Sequence, residues 1–448
     1  MDYQSFKNAV IAQAEAMGIK EYELYYENGS ETSVGVFMHE VNEFSSSEGG
    51  GVCFRCIVGG KMGYASTQAL NEDEAKSIVQ QAADNAAVLE ADEEVFLCEG
   101  GKEYEPLELT PYDLPTTEAL IAKTLETQEK IYAADPAVID GSQTQGLSMH
   151  NEIAIYNSKG LDLHYANNFA GLVAAAVVSN GQEMANSYEI KLGELSSIDN
   201  DKMAAKAVED AKRKLGGEPP VTGVYPVVFN PEAMCSMMGV FSSVFSSENT
   251  QKGLSRLGGQ EGQVIAASCV TLVDDPFHKE NPMPINFDAE GCPTHKKNVI
   301  ENGTLNTLLY NMKTAAVAGK ETTGNAAKGS YDSPVMVRPF TMYLAAGELT
   351  EDELLAKAGN GVMITDLSGL HAGANPISGD FSLQSSGYMI VDGKKGDYIK
   401  SFTVAGNFYD LLKKITALSD KVTLPNPFGS TTFGSPYVLV DELSIAGK

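Results

Sequence analysis

The 448-residue sequence lacks a long apolar run and is poor in basic residues. Its longest apolar run, residues 169–178, is too short to cross a bilayer, so we expect no membrane span. The opening segment MDYQSFKNAV has no basic region followed by an apolar core, which predicts a cytoplasmic protein without a secretory signal. Only 32 basic residues accompany 60 acidic ones, and the net charge of −28 repels phosphate backbones. We therefore expect no direct binding to nucleic acid.

Several catalytic signatures are also missing. No glycine-rich loop precedes Lys-Ser/Thr, no dinucleotide fingerprint occurs, and G-x-S-x-G does not occur between a strand and a helix. Cys53 and Cys56 form a CxxC, but strand-like alternation places their thiols on opposite faces, whereas a redox CxxC needs a helix N-terminus. His39-Glu40 likewise lies in an alternating segment, so we interpret His39 as an exposed strand residue and not as part of a helical zinc motif.

One further cysteine invites a metal hypothesis. Cys292 and His295 would supply half of a metal site, with Cys269 or His278 near them in sequence. The alternative, which we favour, is a Gly-Cys-Pro turn between two strands, because irregularly spaced cysteines in a large acidic chain are more often buried small side chains.

The first half, residues 1–216, has the pattern of a duplicated unit. Each copy, about 1–96 and 112–216, runs from an amphipathic helix through strand-like segments to a second helix. An acidic, proline-containing stretch, residues 97–115, joins the copies, and residues 49–51 (GGG) are predicted to form a turn. This order predicts an α+β domain of paired antiparallel sheets covered by helices.

The second half, residues 221–448, follows the boundary segment GGEPP and is mainly composed of short strand patterns. Asn302-Gly303 predicts a tight hairpin, Thr350 with Glu353 predicts a capping box, and Asn407 is expected to cap another helix. The many strands predict a curved or barrel-like sheet around one buried helix.

That buried helix, residues 231–245, has the setting of a metal site without its ligands. An apolar strand leads to Asn230, a good N-cap, and Pro231 takes the first helical position. A helix carrying H-E-x-x-x-H here would bind zinc through two imidazoles, with the glutamate as general base. Glu232 is present, but Pro231 and Ser236 occupy the histidine positions and neither ligates zinc. We therefore expect no metal and no catalytic residue in this chain, and interpret Glu232 as a carboxylate stabilised by the helix dipole.

Six segments, in this order, resemble the TldD/PmbA family, the so-called modulators of DNA gyrase. They are residues 49–67 (GGGVCFRCIVGGKMGYAST), 259–276 (GQEGQVIAASCVTLVDDP), 298–311 (NVIENGTLNTLLYN), 322–339 (TTGNAAKGSYDSPVMVRP), 369–390 (GLHAGANPISGDFSLQSSGYMI) and 433–448 (FGSPYVLVDELSIAGK). The resemblance covers essentially the whole chain. In this family a TldD branch forms a zinc peptidase with a PmbA/TldE branch that lacks the zinc helix motif.

The resemblance implies a PmbA/TldE-like, non-catalytic subunit. The family's third zinc ligand is a C-terminal cysteine, but the last cysteine here is Cys292, and residues 423–437 contain none. The implied assembly pairs this chain with a TldD-like zinc peptidase that supplies the zinc and processes peptides or unfolded proteins. A homodimer is also possible because both branches share a fold. For the isolated chain we expect a dimer through the second domain, with a mostly apolar interface of over about 1,500 Å² in total.

The segment GLHAGANPISGDFSLQ supplies the substrate-cleft candidates. Polar side chains stand among glycines that would let a peptide backbone approach: His371, Asn375, Ser378, Gly379 and Asp380. The equally weighted alternative is a turn-rich connector whose Asn and Asp bond to their own backbone.

Two other functions stay open. A stand-alone peptidase or hydrolase would use His278, His295 or His371 with Asp274, Asp275 or Asp380. A peptide-binding scaffold without a peptidase partner would need none of these groups.

Overall fold

The computed structural model describes residues 1–90, 94–107, 109, 112–425 and 431–448. The first domain contains four helices and one six-stranded antiparallel sheet of order β3-β2-β1-β4-β5-β6 within that described part. Its elements are α1 (Tyr3–Ala16), β1 (Glu21–Phe37), β2 (Glu40–Val58), β3 (Lys61–Thr67), α2 (Glu72–Val88), α3 (Thr117–Ala134), β4 (Gln143–Asn157), β5 (Asp162–Ser179), β6 (Met184–Leu192) and α4 (Asn200–Arg213).

The duplication produces one sheet, so the predicted pair of sheets is wrong. Each copy contributes three strands, and the first strands, β1 and β4, pair antiparallel from Glu23↔Asn157 to Phe37↔Gln143. Joining the two copies here satisfies two long strand edges that separate sheets would leave open. Helices α1 and α2 pack on the first three strands, and α3 and α4 pack on the last three, with α3 also packing on β1.

Two local predictions also fail in this sheet. Residues 49–51 do not turn, because β2 runs through them; a Cβ on Gly50 would lie 2.1 Å from the carbonyl oxygen of Glu27, so glycine here permits close backbone approach. His39 is not in a strand, because Met38 and His39 form the two-residue turn between β1 and β2 with φ of 50° and 66°. The predicted exposure of His39 is confirmed.

The second domain contains a closed barrel and a second sheet. Its elements are β7 (Gly223–Phe229), α5 (Pro231–Phe241), α6 (Ser247–Gln251), β8 (Leu272–Asp274), β9 (Lys297–Glu301), β10 (Thr304–Leu305), α7 (Met312–Ala318), β11 (Ala326–Ala327), β12 (Met336–Val337), β13 (Thr341–Leu344), α8 (Glu351–Ala358), β14 (Gly361–Ser368), α9 (Leu370–Gly373), β15 (Asp380–Val391), β16 (Lys394–Asn407), α10 (Phe408–Lys414), β17 (Ile415–Leu418), β18 (Thr432–Gly434) and β19 (Val438–Ala446). Strands β16-β15-β14-β7-β19 close into the barrel through the β16–β19 pairing, and β17 adds to β19. Strands β10-β9-β8-β13-β18 form the second sheet.

The predicted α+β class with a barrel-like second domain is confirmed. Helix α5, continued by a 3-10 turn at Ser242–Phe245, lies between the barrel and the second sheet, where it contacts β14 and β18. The Asn302-Gly303 hairpin, the Thr350–Glu353 capping box and the Asn407 cap all form as predicted. Among the described residues, no helix combines the length and the apolar character needed to cross a membrane.

Candidate functional site

The corner between β7 and α5 has the local chemistry that the sequence predicts. Asn230 Oδ1 accepts a hydrogen bond from the Ala233 amide at 2.8 Å, and the Asn230 amide donates to Ile364 O on the adjacent parallel strand β14 at 3.0 Å. Pro231 occupies the first turn, where a missing N–H costs nothing. The strand pairing and the cap together fix where the first turn of α5 points.

The residues at the former ligand positions do not fit a zinc ion. Pro231 has no donor atom for a metal, and Ser236 Oγ donates to the carbonyl oxygen of Glu232 at 3.0 Å. Within the described ranges, no group of three or more His, Cys, Asp or Glu side chains is arranged to hold a metal ion. Helix α5 is therefore capped and ordered as the sequence predicts, and its residues at positions 231 and 236 contribute to the helix itself.

Glu232 faces the first domain across the domain interface. Tyr188 on β6 donates its hydroxyl to Glu232 Oε1 at 2.8 Å. Burial raises the pKa of Glu232 above its usual value of 4.5, while the Tyr188 hydrogen bond opposes this rise. Asp366 on β14 adds a further upward contribution to that pKa and is itself paired with Lys214 at 2.7 Å. The helix dipole is thus only part of the environment of Glu232, because a tyrosine from the other domain binds the carboxylate.

The 369–380 segment lies beside α5 and bonds largely to itself. Asn375 Oδ1 accepts from the amides of Ile377 (2.9 Å) and Ser378 (3.2 Å), which forms an Asx turn. Asn407 Nδ2 donates to Ser378 O and to Asp380 Oδ1, both at 2.8 Å. The hydrogen bond from Asn407 first, and the Ser378 side chain second, lower the pKa of the exposed Asp380 carboxyl.

A surface groove of about 750 Å³ adjoins this segment. Its lining includes Asn249, Leu254, Ile377, Asp380 and Phe381. Leu254 and Ile377 are 41% and 49% exposed, so two apolar side chains are open to a ligand there. His371 is exposed on the short helix α9 and does not belong to the described lining. Of the five sequence-predicted candidates, Asn375 and Asp380 line the groove, whereas His371, Ser378 and the buried Gly379 do not belong to its described lining.

The alternative His–Asp set is dispersed. Asp274 is fully buried and is committed to Lys297 (3.1 Å), Asn325 (2.8 Å) and the Phe340 amide (2.9 Å). Across the described part of the chain, no side-chain hydrogen bond or ion pair joins His278, His295 or His371 to Asp274, Asp275 or Asp380. The structure thus gives no assembled catalytic pair from this set.

The prediction that the thiols of Cys53 and Cys56 lie on opposite faces is confirmed, and five of the six cysteines are buried, whereas Cys269 is exposed. Cys53 and Cys56 are buried on opposite faces of β2, in separate apolar clusters. Burial raises the pKa of Cys53, and it raises that of Cys56 to about 11, which keeps both thiols protonated at neutral pH. Cys292 is buried against Cys98, a contact that the sequence analysis missed because Cys98 carries no motif.

Comparison with known proteins gives one consistent family. Models of the PmbA/TldA metallopeptidase match as domain 1 over residues 22–86, as central domain over 110–215 and as C-terminal domain over 222–447. A Thermotoga maritima crystal structure, described as a proposed modulator of a DNA gyrase, has a TM-score of 0.90 and 30% identity, covering 99% of this chain and 100% of that one. TldE from Thermococcus kodakarensis has a TM-score of 0.87 at 24% identity, covering 98% and 99%, and shows the same fold.

Sequence relatives agree with the structural ones. A Haemophilus influenzae protein named as a metalloprotease PmbA homologue is 23% identical, covering 93% of this chain and 90% of its own length. A Methanothermobacter thermautotrophicus protein named as a metalloprotease is 27% identical, covering 75% and 76%. With all three domain models matched in order over most of its length, this chain belongs to the PmbA/TldD metallopeptidase family.

Proposed function

We propose that this chain is a PmbA/TldE-like, non-catalytic subunit of a zinc-dependent peptidase complex that processes peptides and unfolded proteins. The observation that carries the proposal is which residues occupy the first turns of helix α5 and what they contact. Pro231 and Ser236 replace the two imidazoles, and Glu232 is bound by Tyr188 of the first domain. The residues beside Glu232 thus supply no imidazole pair to hold a metal ion that would lower the pKa of a bound water.

The groove beside α5 supports a role in holding substrate. Helix α9 lies against α5, and the groove continues from that contact across the 369–380 segment. Leu254 and Ile377 offer apolar contacts, while Gly373 lines the groove without a side chain. A groove of this mixed character suits an extended peptide whose side chains vary.

The catalytic partner in this proposal is a TldD-like chain that supplies the zinc ligands. Because the two branches share one fold, this chain can use the same surface for a TldD-like partner and for a second copy of itself. The homodimer through the second domain is therefore the state expected when the partner is absent.

Metal analysis with a peptidase assay tests the proposal. The purified chain alone is expected to hold well under one zinc per chain and to leave an unfolded protein substrate intact. Mixed with a TldD-like chain from the same host, it is expected to increase chelator-sensitive cleavage. Stoichiometric zinc in the isolated chain, or chelator-sensitive cleavage by it, would overturn the non-catalytic assignment.

Substitutions that place a charge in the groove, compared with one that places a charge elsewhere on the surface, test whether the groove holds substrate. Leu254→Asp and Ile377→Asp are expected to lower cleavage by the mixture at least about 5-fold, because each places a charge in an apolar contact worth about 1 kcal/mol or more. Val391→Asp is the matched control, since Val391 is 51% exposed and lies at the end of β15 outside the groove lining. Equal effects of all three variants on cleavage would show that the groove is not the surface that holds substrate.

A further inference from the structure

Two buried thiols from distant parts of the chain meet at the domain interface. Cys98 Sγ and Cys292 Sγ are 2.9 Å apart, and both residues are 0% exposed. Cys98 belongs to the segment that joins the two copies of the first domain, and Cys292 belongs to the second domain, 194 positions later. The contact therefore links the connecting segment to a different domain.

The backbone around each thiol is held in place. Asn157 Nδ2 donates to the carbonyl oxygen of Cys98 at 2.8 Å. The Cys292 amide donates to Asp288 Oδ1 at 2.9 Å. Tyr104 spans the two sides, because its hydroxyl donates to Gly291 O at 2.8 Å. Both thiols are thus positioned by neighbouring hydrogen bonds as well as by packing.

We propose that Cys98 and Cys292 form an intramolecular disulfide when the protein meets a small-molecule disulfide such as oxidised glutathione, and that this bond locks residues 94–107 onto the second domain. A disulfide has an S–S distance of about 2.05 Å, so the two sulfurs need to close by less than about 1 Å. That movement is within the reach of side-chain rotation and small backbone shifts.

The chemistry is two successive thiol–disulfide exchanges. One cysteine loses its proton and attacks a sulfur of glutathione disulfide, which forms a mixed disulfide and releases one glutathione thiolate. The second cysteine, also deprotonated, attacks the protein sulfur of the mixed disulfide and releases the other glutathione thiolate. Two electrons pass from the cysteine sulfurs to glutathione, and the two released thiolates take up the two protons.

The surroundings make this exchange slow. The hydrogen bond with Cys98 and then burial raise the pKa of Cys292, so little thiolate forms in the closed protein. Both sulfurs are inaccessible until residues 94–107 lift from the second domain. The rate of oxidation is therefore expected to follow the opening of that segment and to increase at least about 5-fold in low, non-denaturing urea.

Peptide mapping of the full chain tests the proposal directly. A Cys269→Ser background is used because Cys269 is the exposed thiol among the six and would form intermolecular links. After incubation with glutathione disulfide and alkylation, digestion without reductant is expected to give a Cys98–Cys292 linked peptide that dithiothreitol removes. The oxidised protein is expected to melt at least about 3 °C higher than the reduced protein, since the bond closes a long loop.

Other outcomes overturn the assignment. Cys53 lies in the same apolar cluster as Cys98 and Cys292. A disulfide formed by Cys53 in place of the Cys98–Cys292 bond would show that the contact between Cys98 and Cys292 does not determine which cysteines react. Fully alkylated Cys98 and Cys292 after oxidation in low urea would show that the pair does not react. Cys98→Ser is expected to abolish the linked species, whereas Cys56→Ser, on the other face of β2, is expected to leave it unchanged.

Discussion

The hydrogen bond between Tyr188 and Glu232 is expected to stabilise the contact of the two domains, and Tyr188→Phe removes it without changing the ring. A hydrogen bond to a charged group contributes about 1.5–3 kcal/mol. Because Tyr188 is 45% exposed, solvent screening reduces the expected loss to about 1–2 kcal/mol. With an unfolding entropy of about 2.1 cal/mol/K per residue, residues 221–448 give about 0.5 kcal/mol/K, and Tm is expected to fall by about 2–4 °C.

The pH dependence of this loss has a definite sign. Burial raises the folded-state pKa of Glu232 above its usual 4.5, so the ionised carboxylate reduces stability as pH rises through that raised pKa. Tyr188 donates to the ionised form and therefore offsets part of this cost. Its removal raises the pKa of Glu232 further, and the loss in Tyr188→Phe is expected to be larger at pH 8 than at pH 5.

Differential scanning calorimetry at both pH values provides the measurement, and Glu232→Gln provides the control. In the Glu232→Gln background, where the acceptor is neutral, Tyr188→Phe is expected to cost at least about 0.5 kcal/mol less, a coupling typical of groups in direct contact. A Tm change below about 0.5 °C at pH 8, or the same change in both backgrounds, would refute the reasoning.

Three further predictions concern packing, buried charge and assembly. Gly51→Ala is expected to destabilise by about 2 kcal/mol, measured as a lower Tm, because the new Cβ would lie 2.6 Å from the Tyr331 ring; Gly49→Ala, with nothing within 4 Å, is the control. Asp274→Asn breaks a fully buried ion pair and is expected to cost about 3–5 kcal/mol and lower the soluble yield, whereas Asp199→Asn, on an exposed pair, is expected to leave Tm nearly unchanged. Light scattering at micromolar concentration is expected to give a dimer mass; a monomer mass unchanged between moderate and high salt would contradict the shared-surface argument.

Local features of the fold follow from the sequence because short-range chemistry determines them. The Asn230 cap, the Thr350–Glu353 capping box and the Asn302-Gly303 turn each depend on residues within a few positions of one another. The pairing of β1 with β4 depends on residues more than a hundred positions apart, and both a single sheet and two sheets fit the same alternation. The local pattern therefore predicts the strands and leaves their partners open.

Glycine patterns were misleading in β2 for a physical reason. Three consecutive glycines are typical of a turn because glycine accepts positive φ. In β2 they remain extended, and two of them supply space against the strand, Gly50 for Glu27 and Gly51 for Tyr331. One sequence does not distinguish these two uses, since both require only the absence of a Cβ.

The sequence shows which residue types lie at the candidate site, but it does not show which other residues they contact. Pro231 and Ser236 carry no imidazole, and the structure adds only that Ser236 Oγ donates to the carbonyl oxygen of Glu232. Tyr188 was missed because it lies 44 positions before Glu232 and in the other domain. Whether Asn375 and Asp380 bind a ligand or the protein itself depends on geometry, which gives Asn375 a backbone partner within its own turn and Asp380 a partner in Asn407.

The contact between the domains supplies protein partners for the charges at the start of helix α5. In a zinc peptidase, the positive charge of the ion lies close to the carboxylate of the glutamate, and the ion connects the helix to the rest of the active site. Here Tyr188 binds Glu232, while Lys214 pairs with Asp366 nearby, so protein groups satisfy charges that would otherwise be buried without partners. Placing histidines at both positions, Pro231→His with Ser236→His, is therefore expected to be insufficient for a zinc peptidase site, since residues 423–437 contain no cysteine and Tyr188 already binds Glu232. On this argument the double variant is expected to leave the chain without chelator-sensitive peptidase activity, and activity in that variant would show that the Tyr188 contact opens easily.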